Sequence, residues 1–445
     1  MRIVNGADEA RRTLLRRLPL ESSLPQSVRD GIRRVFGEDL SAQAVVDRII
    51  DGVRADGDAA VAKYNREIDR MGEGVALEVT ATEIEAAREE ADDGLVAALE
   101  EAAGRIRAYH ERQRENSLRT FRGEDGLGQI VRPLRRVGLY VPGTVVVYPS
   151  TVLMTAVPAR AAGVEELIMV TPVNPDGSVA PLKLVAAQVA GVDRIFKAGG
   201  AQGIAAMAYG TETIPKVDKI CGPGNIFVTL AKKRAYGDVG IDGVFGPSET
   251  LVVADSSADP ALVVADMLAG AEHDELATSV LLTDSAELAE AVAREVESGL
   301  DALKRKDIAA HSIEARGGVV VVGSVEEAVA LASEFAPEHL CLHVADAEGV
   351  LGNVRNAGCV FVGAMSVESI GDYTAGPSHV MPTGGSAAYS SPLGVHDFLK
   401  ATSVVHLDAA TAREIGPAAA AIAHAEGLTG HARSIEARLE LEDGR

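Results

Sequence analysis

The sequence contains no tryptophan, and aromatic residues make up only 4% of its 445 residues. A protein that stacks single-stranded nucleic acid on aromatic side chains needs more of them, so this class of function is disfavoured. Basic residues are also scarce, because 43 lysines and arginines stand against 65 aspartates and glutamates, for a formal net charge of −22. Since a surface of this sign repels phosphate backbones, we expect no nucleic-acid partner.

Cysteines and uninterrupted hydrophobic runs are scarce as well. Cys221, Cys341 and Cys359 are the three cysteines, and they form no CxxC pair. An odd number without such a pair is typical of buried thiols in a reducing compartment. The N-terminal stretch lacks the apolar core of a signal peptide, and the most apolar stretch, residues 144–163, is interrupted by prolines and an arginine. We therefore expect a cytoplasmic protein with no membrane partner.

The residues that are present predict an α/β fold. The first 120 residues have helical spacing, with Ser41 as the cap of one helix. From Val137 onward, short β-rich runs alternate with alanine-rich segments of helical length, and this pattern begins again at Glu249. Such alternation is typical of βαβ units. We predict two Rossmann-like parallel-sheet domains in series, with a helical N-terminal segment and a small helical C-terminal tail.

Glycine-rich turns between strands and helices are the first candidate binding sites. No GxGxxG follows the first strand, so the dinucleotide fingerprint is missing. Two other turns, Gly199–Gln202 and Cys221–Asn225, join a predicted strand to a predicted helix. Such turns let a backbone approach phosphates at a helix N-terminus, but they also simply connect βα units. From the residues alone, both interpretations stay open.

Histidines and carboxylates are the second set of candidates. Glu338 and His339 are adjacent, and together they offer two proton-transfer groups on one short segment. His273, near the end of a predicted helix (Pro260–His273), is one of several histidines that with Asp372 offer the mixed nitrogen and oxygen ligands zinc prefers. A single helical histidine is more often a packing residue, and no HExxH motif is present. The spacing therefore leaves the metal site undecided.

Blocks along nearly the whole chain resemble the histidinol dehydrogenase family, in the same order. They are Val137–Gly143, Gly199–Gln202, Pro215–Lys219, Gly222–Asn225, Gly246–Glu249, Ala271–His273, Pro337–Leu340, Gly371–Tyr373, Ser378–Gly385 and Glu426–His431. The resemblance implies oxidation of L-histidinol through L-histidinal to L-histidine, the last step of histidine biosynthesis. It also implies two NAD+ used in sequence and one Zn2+ per subunit of a homodimer.

The resemblance also implies roles for individual residues. Glu338 and His339 would be the acid/base pair, with His339 taking the alcohol proton and Glu338 activating the water that hydrates the aldehyde. The residues that would contact NAD are Tyr140, Gln202 and Asn225. The residues that would bind substrate are Ser248, His273, His339, Asp372, His379, Glu426 and His431. The residues that would bind zinc are His273, Asp372 and His431.

The resemblance further implies how these roles are divided along the chain. We expect an N-terminal extension (1–24), a first α/β domain with the catalytic and metal residues (25–136 and 249–390), a second, NAD-binding domain (137–248) and a helical tail (391–445). The tail would form the dimer and contribute Glu426 and His431 to the active site of the partner subunit.

One position departs from the pattern of the family. Gly270 lies where the family has a glutamine that binds the metal, three residues before His273 and therefore on the same helix face. We predict that zinc affinity and turnover are lower than in a Gly270→Gln variant. Two alternatives stay open: a related zinc/NAD dehydrogenase that oxidises another small polar primary alcohol to its acid, or a catalytically impaired relative that binds a metabolite.

Overall fold

The computed structural model describes residues 1–17, 24, 26–117, 119–123, 126–143 and 146–440. The chain divides into two compact units, which are described separately: Met1–Glu115 with Leu134–Phe398, and Asn116–Pro133 with Leu399–Arg445. Within the described residues, no helix is both long enough and apolar enough to cross a membrane.

Capping side chains begin the long N-terminal helices. Ser41 Oγ accepts a hydrogen bond from the N–H of Ala44 at 3.2 Å, which confirms its predicted role. Thr80 and Glu83 form a reciprocal capping box at the start of the next helix. The first elements are β1 (Ile3–Asn5), α1 (Ala7–Arg12), α2 (Gln26–Phe36), α3 (Ala42–Glu67), α4 (Ala81–Glu90) and α5 (Asp93–Glu115), followed in the second unit by β2 (Phe121–Arg122) and β3 (Leu127–Pro133).

A five-stranded parallel sheet follows in the first unit. Its elements are β4 (Arg136–Tyr140), α6 (Pro149–Ala162), β5 (Glu166–Thr171), α7 (Pro181–Ala190), β6 (Arg194–Lys197), α8 (Gly200–Tyr209), β7 (Lys219–Cys221), α9 (Ile226–Ala235) and β8 (Gly240–Ile241). The strand order is β6-β5-β4-β7-β8. Numbered from its own first strand, this order is 3-2-1-4-5, the order of nucleotide-binding doubly wound sheets.

A six-stranded parallel sheet completes the first unit. Its elements are β9 (Glu249–Ala254), α10 (Pro260–Ala271), β10 (Thr278–Thr283), α11 (Ala286–Asp301), α12 (Lys306–Arg316), β11 (Gly318–Val321), α13 (Val325–Phe335), β12 (His339–His343), α14 (Ala347–Leu351), β13 (Cys359–Val362) and α15 (Glu368–Tyr373). Its order, β1-β11-β10-β9-β12-β13, repeats the 3-2-1-4-5 arrangement and adds β1 at one edge. Alternate residues of β9 enter two separate cores, Leu251 and Val253 on one face and Val252 and Ala254 on the other.

The second unit consists of an antiparallel sheet and two helices. The sheet has the order β14-β3-β2, with β14 formed by Leu399–Val405. The helices that follow are α16 (Ala409–Ala425) and α17 (Thr429–Leu439), and Asp408 caps the first of them. The predicted helical tail therefore contains these two helices, preceded by a strand that was not predicted.

The predicted fold class is confirmed in its main features. Both large sheets are parallel, follow each other along the chain and have helices between successive strands. The sequence did not predict β1 or the small antiparallel sheet. β1 and β2 are too short to carry a recognisable pattern, and β3 pairs with β14, which comes from a distant part of the chain. The domain boundaries stay predictions.

Candidate active site

Tyr140 and Gln202 lie at the carboxyl edge of the five-stranded sheet. Tyr140 is the last residue of β4, and its buried hydroxyl accepts a hydrogen bond from the N–H of Gly200 at 3.1 Å. Gln202 lies in the first turn of α8, where its Nε2 donates to Asp69 Oδ2 at 2.9 Å and to Asn65 Oδ1 at 3.2 Å. Among the described residues, its buried Oε1 has no hydrogen-bond partner. The side-chain amide of Gln202 is thus held through its nitrogen, and its oxygen remains able to accept a hydrogen bond.

Asn225 begins α9 in the turn after β7. Its side-chain oxygen accepts hydrogen bonds from the N–H groups of Phe227 at 3.1 Å and Val228 at 3.2 Å, so the side chain caps the helix. In the same turn, Gly222 has a φ of +116°, and a Cβ there would lie 2.1 Å from the carbonyl oxygen of Tyr140. Only glycine lets this turn close against the end of β4.

One cavity of about 670 Å³ in the first unit brings these residues together. Tyr140, Gln202 and Asn225 all line it. It lies at the carboxyl ends of β4 and β7, where the strand order reverses and where ligands bind in such sheets. His273 and Arg305, from the elements of the six-stranded sheet, line the same cavity. The predicted NAD residues therefore share a cavity with a predicted metal ligand.

Glu338 and His339 lie at the amino edge of the six-stranded sheet. After α13, the left-handed residue Ala336 (φ +51°) and then Pro337 turn the chain directly into β12. The side chains of Glu338 and His339 are both buried, and Glu338 Oε2 accepts a hydrogen bond from the N–H of Glu249 at 3.2 Å. The turn thus places an acid and an imidazole side by side at the start of a buried strand.

Three carboxylates surround the imidazole of His339. Its Nδ1 is 3.5 Å from Glu368 Oε1 and 3.8 Å from Glu338 Oε2. Its Nε2 is 3.6 Å from Asp372 Oδ1. Within the described part of the chain, neither buried ring nitrogen has a hydrogen-bond partner. The imidazole of His339 is therefore held by charge and packing and not by hydrogen bonds, and its distances to the three carboxylates leave room for hydrogen bonds to form.

The pKa values of this group reflect burial and mutual charge. Burial raises the pKa of Glu338 to about 7. Burial alone would lower the pKa of His339, but Glu368, Glu338 and Asp372 outweigh it and raise that pKa to about 10. Burial also raises the pKa of Glu368, whereas His339 outweighs the effect of burial on Asp372 and keeps its pKa below the ordinary value. Three carboxylates against one imidazole give the group an excess of acidic side chains.

His273, Glu368 and Asp372 form a candidate metal cluster. His273 lies two residues beyond the end of α10 rather than within the helix, and its Nε2 is 4.0 Å from Asp372 Oδ2. One possible ligand atom from each of the three residues lies within 4.8 Å of the others. The structure thus brings together two of the predicted zinc ligands and adds Glu368, which the sequence analysis missed.

Gly270 lies in the last turn of α10 and is buried. A Cβ built there would lie 2.4 Å from Thr250 Oγ1 and 2.9 Å from Thr250 Cβ. Thr250, on β9, therefore fills the space that a larger residue at position 270 requires.

Two predicted substrate residues flank this cluster. Ser248 directly precedes β9 and is half-buried, and it adjoins Glu249, whose N–H binds Glu338. His379 is also half-buried, and its Nε2 is 3.4 Å from Thr151 Oγ1. Burial lowers the pKa of His379, although the nearby carboxylate of Asp372 opposes this effect.

Glu426 and His431 belong to the second unit. Glu426 follows the last residue of α16, His431 lies in the first turn of α17, and both are exposed. Their role in an active site shared with a partner subunit stays a prediction.

Sequence reasoning missed Glu368 and Asp69. Glu368 precedes Asp372 by four residues and so shares a helix face with it, a signal that the sequence offered. Asp69 lines the cavity and binds Gln202, and burial raises its pKa to about 6 against the opposing hydrogen bonds. No local pattern marks Asp69, because it meets Gln202 only through the packing of the N-terminal helices.

Comparison with known proteins gives consistent matches over nearly the whole chain. The model of one protein family, Histidinol dehydrogenase, matches residues 33–439. A histidinol dehydrogenase from Dehalococcoides mccartyi (strain CBDB1) is 49% identical over 99% of this chain and 100% of the relative. One from Deinococcus radiodurans is 48% identical with the same coverage. The crystal structure of histidinol dehydrogenase from Elizabethkingia anophelis superimposes with a TM-score of 0.87 at 33% identity, covering 99% of this chain and 98% of that one.

Proposed function

The chain belongs to the histidinol dehydrogenase family, and from this premise we propose that it oxidises L-histidinol through L-histidinal to L-histidine with two NAD+ and one Zn2+ per subunit. One observation carries the proposal. Asp372 contacts His339 and lies 4.0 Å from His273, which lines the same cavity as the proposed NAD residues. An acid/base group, a metal cluster and a cofactor cavity are therefore connected through a single carboxylate.

The donors present fit a zinc ion. Imidazole nitrogen and carboxylate oxygen are ligands that zinc binds in proteins, and His273 and Asp372 offer one of each in adjacent positions. Asp372 Oδ2 lies 4.0 Å from His273 Nε2, close enough for both atoms to bind one ion, while Oδ1 faces His339 Nε2 at 3.6 Å. When bound, zinc would polarise and orient the amino alcohol. His431 of the tail is the third proposed ligand.

The cavity fits a nucleotide cofactor, and NAD+ would supply the hydride acceptor for both oxidations. Gln202 Oε1 is a buried acceptor without a described partner, suited to an amide or a hydroxyl donor of the ligand. Tyr140 and the capped turn at Asn225 fix the wall around it. These three residues would bind and orient the cofactor, each from the carboxyl end of a different strand.

His339 would hold and move the proton of the first oxidation. A general base must be neutral, whereas the surrounding carboxylates raise the pKa of His339 to about 10. Asp372 is among the groups that stabilise the imidazolium of His339. If a bound cation partly neutralised this carboxylate, the pKa of His339 would fall towards the range in which the ring is neutral and can act as a base. His339 Nε2, which faces Asp372, would then accept the hydroxyl proton as the hydride leaves.

Glu338 would act between the two oxidations. The aldehyde can lose its C–H hydrogen as hydride, and so be oxidised to the acid, only after water has added to its carbonyl carbon to form a hydrate. Burial raises the pKa of Glu338 to about 7, so near neutral pH its carboxylate can both accept and return a proton. We assign it to the water that forms the hydrate, and His339 to the proton released when the hydrate is oxidised.

We further propose a homodimer with shared active sites, in which the tail supplies Glu426 and His431 to the partner. Both residues are exposed in the second unit, as residues that meet another subunit must be before assembly. The three free thiols, Cys221, Cys341 and Cys359, fit a reducing compartment, and we propose the cytoplasm.

The test combines metal analysis with product stoichiometry. The purified protein is assayed for zinc content and for NADH formed per histidinol consumed, alongside a panel of other small amino and polar primary alcohols. We expect about one zinc per subunit and two NADH per histidinol, with histidinol the preferred substrate. Preference for another alcohol would point to a related dehydrogenase. No NADH with any alcohol in the presence of zinc would point to a binding protein and overturn the proposal.

A further inference from the structure

Glu368 is the most buried carboxylate of the candidate metal cluster and the one without an assigned role. It is the first residue of α15 and is 1% exposed. Its Oε2 accepts a hydrogen bond from Thr250 Oγ1 at 2.9 Å. Its Oε1 is buried and, within the described part of the chain, has no hydrogen-bond partner. One oxygen is therefore fixed by a hydrogen bond, whereas the other faces His339 Nδ1 at 3.5 Å without a hydrogen bond.

The carboxylate of Glu368 also belongs to the candidate metal cluster. Among His273, Glu368 and Asp372, one ligand atom from each lies within 4.8 Å of the others. Glu368 and Asp372 are four residues apart on one helix, so both carboxylates leave the same face of α15. The buried group holds the carboxylates of Glu338, Glu368 and Asp372 against one imidazole, and a metal ion would offset this excess of negative charge.

Thr250 connects Glu368 to the unusual glycine of α10. Its hydroxyl binds Glu368, and its side chain occupies the space next to Gly270, where a Cβ would lie 2.4 Å from Thr250 Oγ1. A large side chain at position 270 and the present position of Thr250 are therefore incompatible. Gly270 has no side chain that could bind the metal. Thr250, which fills the space beside Gly270, instead holds the carboxylate of Glu368 in place.

We propose that Glu368 is a zinc ligand in this chain, with Thr250 as the residue that positions it. This inference rests on the proposed function, which supplies the zinc. Zinc accepts carboxylate oxygen at about 2.0–2.2 Å, and a hydrogen bond to the second oxygen of a ligating carboxylate is the usual way of orienting it. His273, Asp372 and Glu368 then give three ligands from this unit, and the predicted His431 is the fourth.

The test measures binding of Zn2+ itself. Zinc is removed from the full-length protein by a chelator and titrated back in competition with a chromophoric chelator, for the wild type, Glu368→Gln and Thr250→Val. We expect affinity to fall by about 100-fold or more in Glu368→Gln and by about 10-fold in Thr250→Val, as for a first ligand and for its orienting partner. Co2+ substitution should give a different visible absorption spectrum in Glu368→Gln, because the ligand set has changed.

Two matched controls separate the ligand from general effects. Asp266→Asn removes another buried carboxylate between α10 and β12, where it pairs with His343, and Thr278→Val removes a buried hydroxyl at the start of the neighbouring strand. Both should keep the zinc affinity of the wild type. Circular dichroism on heating checks that each variant is folded. If Glu368→Gln does not fold, Thr250→Val alone tests the proposal.

The possible failures are distinguishable. If Glu368→Gln and Thr250→Val bind zinc like the wild type while turnover falls, Glu368 acts on His339 alone and the inference is wrong. If the wild type itself binds no zinc, the proposed function fails together with it.

Discussion

At the scale of single residues, the proposed mechanism divides the proton chemistry between two neighbours in sequence, Glu338 and His339. His339 faces Asp372 through Nε2, on the side of the metal cluster, whereas Glu338 is anchored by the N–H of Glu249. Glu338 Oε2 lies 3.8 Å from His339 Nδ1, the ring nitrogen that does not face Asp372, so the two groups need not serve the same proton. This separation predicts that one oxidation can continue without the other.

Replacing Glu338 by glutamine tests the division. The amide keeps the size of the side chain and can still accept the hydrogen bond from Glu249, but it cannot take a proton from water. We expect the yield of NADH per histidinol to fall from two towards one, with the aldehyde accumulating and detectable by a carbonyl-trapping reagent. The second oxidation should slow by about 10²–10⁴-fold.

His339→Asn is the matched comparison, since it removes the acid/base group of both oxidations. It should lower both NADH-forming steps and release no aldehyde. Glu338→Gln that still gives two NADH at the normal rate would contradict the assignment of the hydration step to Glu338.

Gly270 provides a second test at this scale. Glycine within a helix costs about 1 kcal/mol relative to alanine, so Gly270→Ala would stabilise the protein if space allowed. The 2.9 Å or less between the new Cβ and Thr250 makes overpacking the larger effect, at about 1–3 kcal/mol. We expect a net fall of about 1 kcal/mol in the free energy of unfolding by urea. Gly104→Ala, in the exposed interior of α5 with nothing near its Cβ, should instead gain about 1 kcal/mol.

The same contact refines the prediction for glutamine at position 270. Gly270→Gln alone should not raise zinc affinity, because Thr250 must first move. Thr250→Ala combined with Gly270→Gln removes the 2.4 Å contact with Oγ1 and should permit the amide to approach the cluster. A gain in zinc affinity from Gly270→Gln alone would show that Thr250 yields easily.

At the scale of elements, the site uses opposite edges of two similar sheets. The proposed NAD residues lie at the carboxyl ends of strands of the five-stranded sheet, as the rule for parallel sheets predicts. Glycine-rich turns marked Gln202 and Asn225 in the sequence as candidates, but not Tyr140. Glu338 and His339 instead begin β12, and His339 is in register with Thr250 of β9 and Cys359 of β13. General rules therefore marked candidate residues in both halves, whereas their proposed roles came only from the family resemblance.

The turn after β7 depends on a buried ion pair that the sequence did not reveal. Asp242 Oδ2 accepts a hydrogen bond from the N–H of Gly222 at 2.6 Å, and Lys232 Nζ donates to the carbonyl oxygen of Gly222 at 2.9 Å. Lys232 and Asp242 also pair directly with each other, and both side chains are almost completely buried. Lys232 and Asp242 thus hold both the N–H and the carbonyl group of Gly222, in the turn that ends at Asn225.

Lys232→Met should break this arrangement and leave Asp242 as an unpaired buried charge. We expect the free energy of unfolding to fall by about 3–5 kcal/mol, and NAD+ binding, measured by titration calorimetry on the folded protein, to weaken. Lys233→Met, the exposed neighbour on the same helix, should change stability by less than about 0.5 kcal/mol. Equal stabilities of the two variants would mean that the pair does not hold the turn.

At the scale of the whole molecule, the residues proposed for active sites are distributed over two compact units of the chain. The first contains Glu338, His339, His273 and Asp372, and the second contains Glu426 and His431. No spacing rule connects residues so distant in sequence, and only the resemblance predicted that the tail serves a partner. Dimers that combine two different variants of the chain test whether a tail acts on its own subunit or on its partner.

Mixing two inactive variants distinguishes these arrangements. His339→Asn disables the first unit and His431→Asn disables the tail, so each homodimer is expected to be inactive. If tails are exchanged between subunits, a mixed dimer has one site with both defects and one site with neither. Random exchange makes about half of the dimers mixed, so activity should recover to about a quarter of the wild-type value. If each tail served its own subunit, every site would keep one defect and no activity would return, which would overturn the proposed sharing.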